Sequence, residues 1–235
     1  EETAMKLLES GCADLIIANN VIAHVPDLND FFRGLKRLLN ETGTITVEFQ
    51  SLEYLVENVA FDLIYHEHYS YLSLTSLRSI LGRHDLMAVD VELLSTQDES
   101  LRVYICHKVN GRSVHESVKR QLEREKDLGL CLDTTYINYS NKVNEHKTQC
   151  LLYFDELKNK GATIAGYGAP AKGNVMLNGL GINRSMIPFT VDRNAHKQNL
   201  IMSGCHIPVY PVEKLYQERP EYVVILQWNI RDEII

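Results

Sequence analysis

The chain has 235 residues, 45% of them apolar and 23% charged, with a formal net charge of −7. This is ordinary globular composition, with room for one large or two small domains. The acidic balance argues against non-specific nucleic-acid binding, which depends on Lys and Arg neutralising phosphates. No apolar run reaches the roughly 20 residues of a membrane span.

The first residues, EETAMKLLESG, read as an acidic helix stopped by Gly11, unlike a signal peptide. With no initiator Met in front of it and a bare RDEII at the other end, the chain reads as a fragment. ADLIIAN follows as a continuous apolar run, the pattern of a strand buried on both faces. DLNDFFRGLKRLL is an amphipathic helix with Asp27 or Asn29 as its cap and Phe31, Leu35, Leu38 and Leu39 on one face. GTITVEF is the next strand, and the strand–helix–strand order implies a parallel pair. LEYLVENVAFDLI reads as a helix, TSLRSILGRHD as another capped by Thr75 or Ser76, and MAVDVELLS with LRVYICHK as an antiparallel hairpin across TQDES.

VHESVKRQLEREKDLGL and NYSNKVNEHKTQCLLYFDELKNK read as two long helices. The domain join is therefore expected there, with residues 1–112 as one unit, 113–160 as a helical connection and 161–235 as a second unit. In the second unit GATIAGYGAPAKGNVMLNGLG gives strand, glycine-rich turn and helix. IPFTVDRN, HIPV and YVVILQW follow as short strands, with PVEKLYQE as a helix between them. The expected class is α/β: a partial Rossmann-like unit followed by a second Rossmann-like unit.

The five cysteines include no C-x-x-C pair, so zinc-knuckle and thioredoxin motifs are missing. Buried free thiols fit Cys106, Cys131 and Cys150, and they point to a reducing, cytoplasmic compartment.

Three stretches carry chemistry. In FDLIYHEHYSY, residues 61–71, Tyr65, His66, Glu67 and His68 can all move protons or bind metal, or simply be polar loop residues. Two histidines supply half a metal shell, and no other pair offers itself by spacing, so no metal is expected here. In ANNVIAHVPDL, Asn19, Asn20 and His24 stand where a strand ends, the place where open parallel sheets bind ligands. The two asparagines are also suited to capping local backbone, and His24 is equally suited to being a surface residue. GYGAPAKGN, residues 166–174, resembles a phosphate-binding turn, with backbone N–H groups and Lys172 favouring an anion. The third glycine of the dinucleotide fingerprint falls on Ala171, an allowed variant, and Asp192 is the one acidic residue at about the right distance. A nicotinamide cofactor, a sugar-nucleotide pyrophosphate and a plain tight turn all fit this stretch.

Together these stretches are more specific. ADLIIANNVIAHVPDLNDFFRGLKRLLNETGTITVEF resembles the later part of a class I S-adenosylmethionine-dependent methyltransferase domain. FDLIYHEHYSYLSLTSL, GYGAPAKGNVMLNGLGI, DRNAHKQNLIMSGCHIPV and ILQWNIRDEII resemble the rest of one subfamily, the sugar C-methyltransferases. The resemblance runs through essentially all 235 residues, in order. It implies C-methylation of a nucleotide-linked keto-deoxysugar through an enolate, with S-adenosylmethionine as methyl donor. Tyr65, Glu67 and His68 match the family's Tyr-x-Glu-His catalytic motif, and His24 matches its active-site histidine; His66 falls on the variable position. Asn19 and Asn20 are the expected cofactor contacts, and Lys172, Asn174, Lys197 and Arg102 the expected substrate contacts.

The family's zinc-binding region and glycine-rich cofactor loop precede the part seen here, so zinc is implied only for that earlier region. Where the family has His-Gly-Gly before Ser-Leu-Arg, this sequence has TQDESLR, so a different turn is expected before Arg102. The implied partner is a nucleotide sugar, with neither nucleic acid nor membrane, and an oligomer is compatible. Methylation of another small acceptor, a non-catalytic nucleotide-sugar binding fragment and a nicotinamide-dependent oxidoreductase are the competing readings.

Overall fold

The computed structural model describes residues 1–94 and 99–235. The chain is α/β and divides into two compact units, residues 1–58 with 66–136, and residues 59–65 with 137–235. The expected turn in TQDESLR lies largely on residues 95–98, outside the described residues.

The first unit contains α1 (Glu2–Leu7), β1 (Ala13–Asn19), α2 (Leu28–Leu38), β2 (Leu39–Gln50), α3 (Leu52–Glu57), α4 (Leu74–Arg83), β3 (Leu86–Leu94), β4 (Ser100–His107) and α5 (Glu116–Leu128). Its sheet runs β1-β2-β4-β3, with β1 and β2 parallel and the other pairings antiparallel. β2 is the buried strand. Ile45, Val47 and Phe49 are within 2% of full burial, and Thr46 and Glu48 on its other face are also buried.

β1 departs from expectation. Its apolar run predicts burial on both faces, yet Leu15 and Ile17 are 55% and 64% exposed. β1 is an edge strand, paired on one side only among the described residues, and Ala18 is its one buried residue. An apolar run reports what a strand can bury; it does not supply the covering layer.

Local chemistry decides several helix ends. Asp27 caps α2 by accepting from the Asp30 N–H at 3.0 Å. The buried face of α2 centres on Phe32, fully buried, and Leu35, whereas Phe31 is half-buried and Leu39 already begins β2. α4 is capped by Ser73, with Ser76 closing a reciprocal capping box, rather than by Thr75 or Ser76. The helix expected over LEYLVENVAFDLI stops after Glu57. Val59 takes φ +54, a left-handed conformation that a β-branched residue adopts only under constraint, and Phe61–Leu63 resume as one 3₁₀ turn.

The expected helical connection of residues 113–160 is divided between the units. α5 packs on β3 and α4, with Val118 buried in the first core, so it belongs to the first unit. α6 (Asp133–Asn159) carries Phe154 and Leu157 into the second core.

The second unit continues with β5 (Ile164–Tyr167), α7 (Ala171–Leu180), β6 (Thr190–Val191), β7 (Val209–Tyr210), α8 (Glu213–Glu218), β8 (Tyr222–Ile225) and α9 (Arg231–Ile234). Its sheet is wholly parallel in the order β7-β6-β5-β8. The strand order reverses between β5 and β8, which makes a topological switch point, and in open parallel sheets ligands bind at such a point beyond the strands' carboxyl ends.

Candidate active site

Of the expected site residues in the first unit, Asn19 ends β1, Asn20 and His24 follow it, Glu67 and His68 lie in the loop before α4, and Arg102 is within β4. Asn19 pairs with Glu48 at the end of the ladder. Asn20 takes φ +55, and its N–H donates to the Glu48 carbonyl at 2.8 Å. Asparagine tolerates this left-handed turn better than most side chains, and both asparagines are exposed. A 3₁₀ turn over Ile22–His24 follows, pinned by the fully buried Ile22.

This turn holds the histidine loop by the backbone. The Tyr69 N–H donates to the Ala23 carbonyl at 2.8 Å, and the Ser70 N–H reaches the same oxygen at 3.4 Å. Further along, the Leu52 N–H donates to the Leu72 carbonyl at 3.1 Å, which ties the loop's exit to the start of α3. These bonds bring His24 against His68, their ring centres 4.9 Å apart and edge to face. Tyr71 completes the row, 5.7 Å from His68 in the same edge-on manner.

His24 Nδ1 lies 2.9 Å from the carbonyl oxygen of Glu67. A carbonyl oxygen only accepts, so Nδ1 carries the proton and Nε2 of a neutral ring is an acceptor. Glu67 thus orients His24 through its backbone, and its own side chain is exposed. Tyr65 belongs to the segment 59–65, which clusters with the second unit. His66 is exposed.

Arg102 is held within the sheet. On β4 it faces Glu48 of β2 and Glu92 of β3, with nitrogen–oxygen distances of 2.9 and 3.6 Å. The Glu48 carboxylate is buried beside it, and this pairing raises the Arg102 pKa further. Any substrate contact through Arg102 therefore shares a guanidinium already committed to Glu48.

In the second unit the glycine-rich turn leads from β5 into α7. Gly168 has φ +91, and Gly173 lies so close to β8 that a Cβ there would sit 2.8 Å from the Leu226 Cβ. Gly173 therefore does the close helix–strand packing that the fingerprint assigns to its third small residue. The turn is internally stitched. The Ala169 N–H donates to Asp192 Oδ2 at 2.8 Å, and Lys197 Nζ reaches the Ala169 carbonyl at 2.9 Å and Asp192 at 3.6 Å. Asp192, at the end of β6, thus places a buried carboxylate on a backbone N–H that the sequence suggested for phosphate. Lys197 clamps that turn.

Lys172 points elsewhere, its Nζ 5.3 Å from the centre of the Trp228 ring. Trp228 follows β8, and its indole N–H donates to the buried Asp62 at 2.7 Å. Lys172 and Trp228 thus flank the switch point of this sheet. Asn174, two residues along α7 and so on a different face, accepts from Asn178 at 3.3 Å and from the Cys205 thiol at 3.8 Å. Tyr71 and Trp228 carried no role in the sequence reading. The signal for Trp228 was its position directly after the last strand; for Tyr71 there was only its place at the end of a tyrosine-rich stretch.

Among the described residues, no group of three or more His, Cys, Asp or Glu is placed to hold a metal ion, and no helix is long and apolar enough to cross a membrane.

Comparison with known proteins gives two family matches. Residues 95–235 match the C-methyltransferase C-terminal domain, and residues 3–91 match a methyltransferase domain. The chain is 32% identical over 225 residues to the C-methyltransferase NovU of Streptomyces niveus, a match covering 96% of this chain and 54% of NovU. The chain thus spans about half the length of this curated relative. A solved structure, magnesium protoporphyrin IX methyltransferase (ChlM) from Synechocystis PCC 6803 with bound SAH, is 19% identical, with a TM-score of 0.34 over 41% of this chain and 46% of that one.

Proposed function

Since the chain belongs to the C-methyltransferase family, we propose that the whole protein is an S-adenosylmethionine-dependent C-methyltransferase. We propose further that its acceptor is a nucleotide-linked keto-deoxysugar, methylated through an enolate. The observation that carries this reading is His24, with Nδ1 held by the Glu67 carbonyl and Nε2 an acceptor.

A carbon beside a ketone becomes nucleophilic when it loses a proton. His24 Nε2 takes that proton, and the C–H electrons move into the ketone to give the enolate. As Nε2 gains the proton, the ring becomes cationic and its Nδ1–H bond to Glu67 strengthens, which stabilises the charge where it appears. The His68 ring, edge-on to His24, and the Tyr71 ring beyond it restrict the rotation of His24. The resemblance names Tyr65 and His68 as further catalytic residues.

The residues fit the methyl donor as one wall of its crevice: Asn19 and Asn20 present exposed amides beyond the ends of two parallel strands. When bound, S-adenosylmethionine supplies a methyl group on a sulfonium. Lys172 and Trp228 at the switch point of the second unit's sheet are suited to a nucleotide, the ammonium to phosphate and the indole to a base. Asn174 and Lys197 are assigned to supporting that turn, and the resemblance also implies Arg102 as a substrate contact. The same reading includes a reducing, cytoplasmic setting; of the three thiols expected to be buried, Cys106 is buried, Cys150 is half-buried and Cys131 is exposed, while Cys205 is buried as well.

Titration calorimetry of the whole protein tests this proposal. Saturable binding of S-adenosylhomocysteine together with thymidine diphosphate is expected. Binding of NADH in place of both would replace the proposal with a nicotinamide-dependent reaction at the glycine-rich turn.

A further inference from the structure

A cavity of about 530 Å³ opens in the second unit, at the end of the sheet opposite the glycine-rich turn. Its wall includes Thr163 just before β5, Pro188 just before β6 and Pro220 just before β8. Those strand starts are their amino-terminal ends, whereas Lys172 and Trp228 follow carboxyl ends. Ile164 and Ala165, successive residues of β5, feed different apolar clusters on the two faces of the sheet. The cavity touches both clusters, through Phe154 of one and Phe189 of the other.

Its lining has a definite chemistry. Phe189 and Tyr210 meet edge to face at 6.0 Å and form an aromatic wall. Lys214 Nζ lies 5.2 Å from the Phe189 ring centre and 4.7 Å from that of Tyr210, and it pairs with Glu218 at 3.0 Å. Lys158 and Arg184 also line the cavity, both are exposed, and among the described residues neither side chain has an ion-pair partner. Three cations against one carboxylate make this wall basic in a chain whose net charge is −7.

We infer that this cavity is a second ligand site, for a flat aromatic anion of up to mononucleotide size. The volume falls in the range of small-molecule sites. The ring system lies against Phe189 and Tyr210, and the anionic group faces Lys158 and Arg184, which have charge to give. Lys214 serves a different purpose: its ammonium is shared between two ring faces and Glu218, so it holds the aromatic wall in place. This inference does not rest on the methyl-transfer reading, because the site uses the opposite end of the sheet from the residues assigned there.

The test is calorimetric titration of the chain with 1-naphthyl phosphate, repeated with the Lys158→Glu/Arg184→Glu and Lys158→Gln/Arg184→Gln variants and with Lys172→Ala. Saturable binding is expected, weakened about 10-fold or more by charge reversal and less by neutralisation, as for loss of a charge-assisted contact. Lys172→Ala reports separately on the Lys172–Trp228 pair, and it is expected to leave in place the binding event that the double variants weaken. The two altered positions are exposed, and a thermal melt of each variant verifies its fold. The inference is overturned by the absence of saturable binding, by unchanged affinity in both double variants, or by binding that only Lys172→Ala abolishes.

Discussion

Glu125 anchors the start of α4, the helix that follows the histidine loop. It lies on α5, is 1% exposed, and its carboxylate receives the Leu74 N–H at 2.6 Å, the Thr75 N–H at 2.8 Å and the Thr75 hydroxyl at 2.6 Å. Those are the first donors of α4, which starts three residues after Tyr71. Glu125→Ala leaves the Leu74 N–H fully buried without an acceptor and the Thr75 N–H partly so, whereas the hydroxyl can turn to another partner. An orphaned buried donor costs about 1–3 kcal/mol. Taking the full range for Leu74 and the lower part for Thr75 gives about 2–4 kcal/mol. For a chain of this size that lowers Tm by roughly 4–16 °C, at about 2–4 °C per kcal/mol. Differential scanning calorimetry reads this shift, and Glu125→Gln, which keeps one acceptor oxygen, is expected to lose about half as much. If Glu125→Ala melts with the unmodified chain, the carboxylate is not what holds the start of α4.

Three further outcomes are expected. In the whole protein Lys172→Ala raises the KM for the nucleotide-linked substrate about 10-fold, as for loss of one charge-assisted contact, and an unchanged KM removes Lys172 from the substrate site. The chain self-associates through β1, whose Leu15 and Ile17 are exposed on an edge strand; Ile17→Lys shifts sedimentation towards monomer, and identical profiles would refute the role of that face. His84, whose pKa is lowered first by burial and then by Arg33, Lys36 and Arg83, binds fewer protons folded than unfolded. Stability is therefore full above its ordinary pKa of about 6.5 and is lost as pH falls through that value towards the folded pKa. His84→Gln flattens this slope in urea titrations between pH 7 and 5, and a slope equal to that of the unmodified chain would contradict it.

What could be read in the sequence was what local chemistry determines. The strand–turn–helix of the second unit, the β3–β4 hairpin and the Asp27 cap all follow from residue types a few positions apart. What could not be read depends on partners distant in sequence. ADLIIAN looks doubly buried because an apolar run does not reveal whether a layer covers it. Asp192 was visible as an acidic residue at the right spacing, but not as the carboxylate that takes the Ala169 N–H, 23 positions away. Arg102 read as a substrate contact, and its partners Glu48 and Glu92 were not legible because they arrive from two other strands. The site divides in the same way. His24 and His68 were legible as residue types in suggestive places; their 4.9 Å approach and the Glu67 carbonyl that fixes one tautomer were not, since backbone hydrogen bonds between residues 23 and 69 create both.

The central claim is that His24 abstracts the proton that makes the acceptor carbon nucleophilic. The most direct measurement is loss of the α-proton of the nucleotide-linked keto-deoxysugar in deuterium oxide, followed by NMR with the whole protein and without methyl donor. His24→Asn keeps a donor near the Nδ1 position for the Glu67 carbonyl but removes the Nε2 base. Exchange is predicted to fall by about 10²–10⁴-fold in this variant, the usual worth of general base catalysis, while His66→Asn exchanges at the unmodified rate. Exchange at the unmodified rate in His24→Asn would contradict the claim and move the base to His68 or Tyr65, to be separated by His68→Asn and Tyr65→Phe in the same experiment.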